Sequence, residues 1–156
     1  MAHDSRFWIN KLAMQPHPEG GFYKETFRSG AAVNAGWGER NALTSIFYLL
    51  EGSNFSAFHR IKSDELWYHH HGGTLLIHEI NQDGGLQIHH LSADNPFAAI
   101  APGSWFASEV EDKERFVLVS CAVAPGFDFS DFELADKAEL TALFPANAEL
   151  MSRLTR

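Results

Sequence analysis

Cysteine is nearly absent from this sequence of 156 residues, which contains only Cys121. A single cysteine excludes an intramolecular disulfide and any zinc site built from several thiolates. Its neighbours in Phe116-Val-Leu-Val-Ser-Cys-Ala-Val123 are apolar, whereas a reactive thiol needs an exposed and electropositive setting. We therefore predict that Cys121 is a buried structural residue.

Positive charge and long apolar runs are also scarce. Twelve Lys and Arg against twenty Asp and Glu give a formal net charge of −8, which disfavours nucleic acids and anionic membranes as partners. No stretch approaches the roughly 18 uninterrupted apolar residues of a membrane-spanning helix. The first residues carry no apolar segment of signal-peptide length. We expect a cytoplasmic protein that binds neither nucleic acid nor membrane.

Turn residues divide the chain into a short helix, many strands and a second helical segment. Apolar residues recur at helical spacing from about Asp4 to Gln15, with Asp4 or Ser5 as the cap. This helix ends at Pro16-His-Pro-Glu-Gly-Gly21, because two prolines and two glycines do not continue a helix. From Phe22 onward, short strands alternate with turn signals about every ten residues, which is typical of an antiparallel sandwich or barrel.

The last twenty residues return to helical spacing, and Pro145 divides them into two short pieces. Hydrophobic residues make up 45% of the chain, and its length fits one domain. We predict a single domain over residues 1–156, with a β-barrel core over about residues 20–135 and C-terminal helices over about residues 137–156.

Nine histidines suggest a metal site, and strand geometry tests that idea. If Lys62-Ser-Asp64 is a three-residue hairpin loop, His59 lies opposite Trp67. It then lies diagonally between Glu65 and His69, at roughly 7–8 Å along the backbone. Glu65 and His69 are themselves roughly 13 Å apart on one strand. This hairpin predicts a contact of His59 with Glu65 or with His69, but not a three-ligand metal site.

The segment from His59 to Gly72 resembles the first conserved motif of the cupins, which runs H-x-H, three or four residues, E, six residues, G. His59, Glu65 and Gly72 occupy the first histidine, the glutamate and the glycine positions, while Ile61 stands at the second histidine position. Ala101-Pro-Gly-Ser-Trp-Phe106 resembles the second motif, P-x-G-x-x-H, with Phe106 in place of its histidine.

Other segments resemble one uncharacterised cupin family of bacteria and fungi, notably Pro18-Glu-Gly-Gly-Phe-Tyr-Lys-Glu-Thr-Phe-Arg28 and Thr44-Ser-Ile-Phe-Tyr-Leu-Leu50. The resemblance covers roughly residues 5–145. It implies an all-β fold, the double-stranded β-helix (jelly roll), here with an N-terminal helix and short C-terminal helices. It also implies a homodimer and a pocket in the barrel mouth. The family is compared with dTDP-sugar 3,5-epimerases, germins and auxin-binding proteins, and no substrate follows from it.

A cupin metal is normally held by three histidines and a carboxylate, a set that suits manganese, iron, nickel or zinc. Ile61 and Phe106 replace two of these imidazoles, so we expect no resident cofactor. The minority interpretation is a weakly bound divalent transition metal, with His59, Glu65 and His69 as its remaining ligands.

Three functions remain open. The first is a metal-independent isomerase, epimerase or lyase for a small polar metabolite, with His59 as general base beside Glu65 or His69. Trp67 and Phe106 would then offer a wall to a ring-shaped ligand. The second is a small-molecule binding protein without turnover, and the third is a metal-dependent oxygenase or isomerase.

Each of these residues also has a purely structural interpretation. Trp67 and Phe106 can simply fill the barrel core, and His59 can be a hydrogen-bonded core histidine between apolar neighbours. Glu65 can be solvated or paired with a neighbouring cation. The match of His59 and Glu65 to one motif is the reason for proposing them as site residues.

Overall fold

The chain folds into two antiparallel β-sheets packed face to face, in a computed structural model that describes residues 2–156. The strands are β1 (Gln15–Pro16), β2 (Phe22–Arg28), β3 (Ala32–Asn34), β4 (Glu39–Asn41), β5 (Thr44–Glu51), β6 (Phe55–Arg60), β7 (Asp64–Gly72), β8 (Leu75–Ile80), β9 (Leu86–Leu91), β10 (Phe97–Ile100), β11 (Trp105–Val110), β12 (Phe116–Ala124) and β13 (Glu133–Leu134). The helices are α1 (Ser5–Lys11), α2 (Lys137–Leu143) and α3 (Ala148–Arg153), with 3₁₀ turns at Phe129–Asp131 and Pro145–Asn147.

The first sheet has the strand order β1-β2-β5-β12-β7-β10, and the second has the order β13-β6-β11-β8-β9. Strands β3 and β4 form a separate hairpin. The predicted jelly roll with an N-terminal helix and short C-terminal helices is confirmed. No helix within residues 2–156 is both long enough and apolar enough to cross a membrane.

Apolar side chains from both sheets fill one end of the barrel. Trp67, Phe106 and Cys121 belong to this core and are fully buried, as the apolar sequence around Cys121 predicted. Every residue of β11 is buried, because the C-terminal helices cover its outer face with Leu140 and Met151. The amphipathic C-terminal segment therefore closes the second sheet from outside.

The N-terminal helix begins where the sequence predicts. The Asp4 side chain accepts a hydrogen bond from the Phe7 backbone amide at 2.8 Å, which satisfies one of the free amides of the first turn. Of the two predicted caps, Asp4 is therefore the one used. The helix ends at Lys11 and not near Gln15 as predicted, because Ala13 has a positive φ of 51° and the chain turns there into β1.

The predicted hairpin at Lys62-Ser-Asp64 is wrong. Strand β6 pairs with β11 and β13, whereas β7 pairs with β12 and β10, so the chain crosses from one sheet to the other at this point. His59 consequently lies opposite Phe106 instead of Trp67. A short polar break in the sequence does not distinguish a hairpin from a sheet-to-sheet crossover, because both need only a few turn residues.

Candidate functional site

The unfilled end of the barrel holds a cavity of about 410 Å³ between the two sheets. Its wall combines ionisable side chains with aromatic and other apolar ones. The lining residues used below are His17, Glu19, Tyr23, Glu25, Arg28, Ile61, His59, Glu65, Cys121, Phe127, Phe129 and Phe132. Ligand sites in proteins are commonly concave, with a few polar groups on an apolar wall.

A tight turn before β2 places Glu19 in this cavity. Gly20 and Gly21 have positive φ angles of 114° and 75°, which side chains other than glycine adopt poorly. A Cβ atom on Gly20 would lie 2.1 Å from the Phe55 carbonyl oxygen. The turn is tied to the second sheet, because the Ala57 amide donates to the Glu19 carbonyl at 2.7 Å.

Glu19 and His59 form a buried pair at the base of the cavity. His59 Nε2 lies 2.7 Å from Glu19 Oε2, and His59 Nδ1 lies 2.7 Å from the Ala57 carbonyl oxygen. A carbonyl oxygen can only accept, so Nδ1 carries a proton. The geometry fits an imidazolium that donates from both nitrogens, with the carboxylate of Glu19 as its counter-charge.

The shifts in pKa favour the same protonation state. Burial opposes a charge on His59, but the nearby and hydrogen-bonded Glu19 carboxylate outweighs it and raises the pKa of the imidazole. Burial likewise opposes a charge on Glu19, but His59, and to a lesser degree His17, lower the pKa of its carboxyl. Each partner therefore favours the charged form of the other.

Glu65 is the second buried carboxyl group of the cavity, and its side chain is not paired in this way. Only 8% of the residue is exposed. Burial raises its pKa to about 7, and the Glu19 carboxylate adds to that shift while His59 opposes it. Among residues 2–156, no cationic nitrogen lies within ion-pair distance of Glu65. This carboxyl group can hold or release a proton near neutral pH.

Two further titratable groups on this wall, His17 and Cys121, favour their neutral forms. Burial lowers the pKa of His17, which disfavours its charged form, and its Nδ1 accepts a hydrogen bond from the Glu19 amide at 3.1 Å. Burial, followed by the Glu65 and Glu19 carboxylates, raises the pKa of the Cys121 thiol well above its usual value. Cys121 is therefore not a nucleophile.

Three phenylalanines form the rim of the cavity, in the segment before β13. The ring centroid of Phe129 lies 4.9 Å from that of Phe127 and 6.0 Å from that of Phe132. Phe132 also lies 5.4 Å from the His59 ring, and Phe129 is 51% exposed. The rim therefore presents aromatic rings to the cavity, and one of them, Phe129, is also exposed to solvent.

The β3–β4 hairpin holds this aromatic rim in place. Arg40 donates to both carboxylate oxygens of Asp131, at 2.7 and 2.8 Å, and the Trp37 indole donates to the same carboxylate at 3.3 Å. Arg28 donates to the Phe127 carbonyl at 3.1 Å. A two-point guanidinium–carboxylate pair fixes both distance and orientation.

Of the five residues predicted from sequence, the structure brings together His59 and Glu65 at the cavity. Trp67 and Phe106 are only 1% and 0% exposed and lie in the core below it. Phe106 packs against the His59 ring, with 4.1 Å between centroids. His69 donates from Nε2 to the Gly73 carbonyl at 3.0 Å and lies outside the cavity lining. The expected aromatic wall is instead made by other rings.

The residues at the cupin ligand positions do not fit a metal ion. Both nitrogens of His59 are engaged by Ala57 and Glu19, while Ile61 and Phe106 supply no ligand atom. Within the described part of the chain, no three His, Cys, Asp or Glu side chains lie together as a metal-binding group. These positions therefore lack the ligand set that holds a metal in other cupins.

Sequence reasoning missed the polar lining residues that lie outside the cupin motif, among them His17 and Glu19. Both lie in the turn before β2, which reads as a simple helix terminator because of its prolines and glycines. The sequence feature that could have indicated them is the adjacent pair Gly20 and Gly21, because glycine is required where the backbone has a positive φ or lies close to another strand.

Residues 6–135 match the family described as Cupin superfamily (DUF985). A crystal structure of a protein from Shewanella oneidensis is 34% identical, with a TM-score of 0.92 and coverage of 99% of both chains. A hypothetical protein from Leishmania major is 31% identical, with a TM-score of 0.93 and coverage of 98% of this chain and 99% of that one.

More distant structures share the fold alone. Oxalate decarboxylase from Bacillus subtilis is 15% identical with a TM-score of 0.58, over 89% of this chain and 36% of that one. Among curated proteins, none matches this sequence. On the family match and the two full-length relatives, the chain belongs to the DUF985 family of the cupin superfamily.

Proposed function

We propose that this chain binds a small polar metabolite in the cavity and catalyses a metal-independent proton transfer on it, of the isomerase or epimerase type. The observation that carries this proposal is Glu65, a cavity-lining carboxyl group with a pKa of about 7. A general acid–base group works best when its pKa lies near the working pH. Ordinary solvated glutamates are too acidic for both halves of such a transfer.

The proposed step needs only Glu65 and the neighbouring charged pair. The Glu65 carboxylate takes a proton from a carbon next to a carbonyl group, and the electrons of the broken C–H bond form an enolate. The imidazolium of His59 stabilises the negative charge that develops on the oxygen. Glu65 then returns a proton to the same carbon, which restores the carbonyl group and regenerates the carboxylate. With an α-hydroxy carbonyl substrate, it can instead protonate the former carbonyl carbon while the hydroxyl proton moves to the former carbonyl oxygen, so that the carbonyl group is transferred to the neighbouring carbon.

This proposal changes the role expected for His59. A general base must accept a proton, and both ring nitrogens of His59 already carry hydrogen bonds to Glu19 and Ala57. His59 is better suited to supply a fixed positive charge, while Glu65 exchanges the proton. Glu19 keeps the imidazole charged and oriented, so it is a positioning residue.

The test incubates the protein in D₂O with a panel of aldoses, ketoses and keto acids. Proton NMR then monitors the exchange of substrate hydrogen for deuterium. Loss of a C–H signal next to a carbonyl is expected with the native protein and should be abolished in Glu65→Gln. The matched control is Glu79→Gln, a buried carboxyl group that pairs with His89 at 2.9 Å outside the cavity. Exchange at the native rate in Glu65→Gln would refute the proposed role.

Ligand binding without turnover is the second candidate. It is favoured by the hydrogen bonds of His59 to Glu19 and Ala57, because these bonds already occupy both ring nitrogens and leave neither one to exchange a proton with a ligand. A panel compound that binds to the native protein without any exchange, and binds equally well to Glu65→Gln, would favour this function over catalysis.

A further inference from the structure

Three glutamates line the cavity, and two of them have a strong ion-pair partner. Glu19 is neutralised by His59. Glu25 is neutralised by Arg28, whose Nη2 lies 2.6 Å from its carboxylate. Glu65 has no such partner among the described residues, although it is more than nine-tenths buried.

Lys24 does not supply the missing charge. It stands between Tyr23 and Glu25 on β2, and successive side chains of a strand point to opposite faces. Its pairing partner Phe47 packs with the apolar cluster outside the barrel. Although Lys24 belongs to the cavity lining, its ammonium group forms no ion pair with Glu65 within the described part of the chain.

A buried carboxylate without a counter-charge is costly to ionise, and proteins normally pair such groups. A cationic ligand would provide the pairing that the chain itself does not. The three rings of the rim add a second attraction for the same charge, because the face of an aromatic ring attracts an ammonium group. Both features line one cavity.

We propose that the ligand of this cavity is a small organic cation, with an ammonium-type charge placed between the Glu65 carboxylate and the aromatic rim of Phe127, Phe129 and Phe132. This specifies the ligand class of the proposed function and rests on the same cavity. The cation stabilises the ionised form of Glu65, so binding of the ligand itself generates the base that the proton transfer requires.

Three compounds of similar shape but different charge show whether binding depends on the charge of the ligand or only on its size. Choline is a permanent cation, 3,3-dimethylbutan-1-ol is its neutral counterpart, and 3,3-dimethylbutanoate carries a negative charge. At pH 8 we expect choline to bind about tenfold more tightly than the neutral alcohol, and the anion to bind more weakly than both. NMR titration of the full chain measures all three, and ring currents of the rim should shift the choline methyl protons.

The preference for choline must depend on ionised Glu65. It should shrink when the pH is lowered from 8 to 6, because the pKa of Glu65 is about 7 while the charge of choline does not change. It should disappear in Glu65→Gln. Phe129→Leu should weaken choline binding, whereas Phe97→Leu, an equally exposed ring outside the cavity, should not.

Equal binding of choline and the alcohol, a preference for the anion, or no choline binding up to about 100 mM would each overturn this inference. None of these outcomes decides the catalytic proposal, which is tested by hydrogen exchange. Conversely, choline selectivity without any exchange activity would leave the ligand class standing and remove the catalytic role.

Discussion

Replacing Glu19 with Gln tests the charged pair most directly, because it removes one charge while keeping the shape of the side chain. In the native protein, we expect His59 to be an imidazolium bonded to Glu19. In Glu19→Gln, burial still lowers the pKa of His59, and only the weaker influences of Glu65 and of the hydrogen bond to Ala57 still raise it, so this pKa should fall below its native value. The neutral ring can keep its bond to Ala57 and accept one from the Gln amide.

The contribution of the Glu19–His59 pair to the free energy of unfolding depends on pH, and the directions of the two pKa shifts show in which pH range it is present. The contribution of Glu19, whose folded pKa is lowered, is present above pH 4.5 and is lost as the pH falls through that folded pKa. The contribution of His59, whose folded pKa is raised, is present below pH 6.5 and is lost as the pH rises through that folded pKa. The pair therefore stabilises the fold most between pH 4.5 and 6.5.

Breaking a buried pair costs about 3–5 kcal/mol when the remaining charge is trapped. His59 escapes part of this cost by releasing its proton, so we expect a loss of about 2–3 kcal/mol at pH 5.5 and about 1 kcal/mol at pH 9. Denaturant unfolding at both pH values measures the loss, and NMR of the His59 ring measures its pKa. The control is Glu25→Gln, which removes a half-exposed pair with Arg28 and should cost less than about 1 kcal/mol.

A stability loss independent of pH, or an unchanged pKa of His59 in Glu19→Gln, would show that the imidazole is not held by this carboxylate.

Three further predictions concern the same end of the barrel. Glu65→Gln should leave the free energy of unfolding unchanged near pH 4 and raise it by up to about 3 kcal/mol at pH 8. The reason is that the folded pKa of Glu65 is about 7 and its ordinary pKa is 4.5, so the native protein loses stability as the pH rises between these values. Native and variant proteins whose free energies of unfolding change with pH in the same way would contradict this. Gly20→Ala should destabilise the protein by more than about 3 kcal/mol, since its Cβ would meet the Phe55 carbonyl at 2.1 Å, whereas Gly36→Ala, with open space around its Cβ, should cost about 1 kcal/mol. Arg40→Gln should speed amide hydrogen exchange across residues 126–132 at least several-fold; unchanged exchange would show that the rim does not depend on the β3–β4 hairpin.

Most of the fold could be predicted because its strands are long enough to carry a pattern. Strand β2 begins at Phe22, where the sequence pattern changes from helix to strand, and Pro145 separates α2 from α3 as expected. The turn at Asn81–Gly85 joins β8 to β9 as its Gly-rich sequence indicates. Strands of two or three residues, such as β1 and β13, were missed because their pairing is decided by distant partners and not by local sequence.

The site could be predicted only where it coincides with a motif. His59 and Glu65 match the cupin pattern and do line the cavity. Glu19 lies forty residues earlier in a turn, and no local rule connects it to His59. The predicted place of Trp67 on the cavity wall is wrong because the hairpin geometry is wrong. The aromatic rim lies in a segment that begins sixty residues after Trp67, and no local pattern connects the two.

The crossover between β6 and β7 has a mechanical consequence. His59 belongs to one sheet and Glu65 to the other, although only five residues separate them in the chain. The coupling between these two groups weakens as the sheets move apart and strengthens as they approach. Moving the sheets apart would also hydrate Glu65 and reduce the burial that raises its pKa, so any ligand or partner that widens or narrows the barrel would change the proton affinity of this carboxyl group.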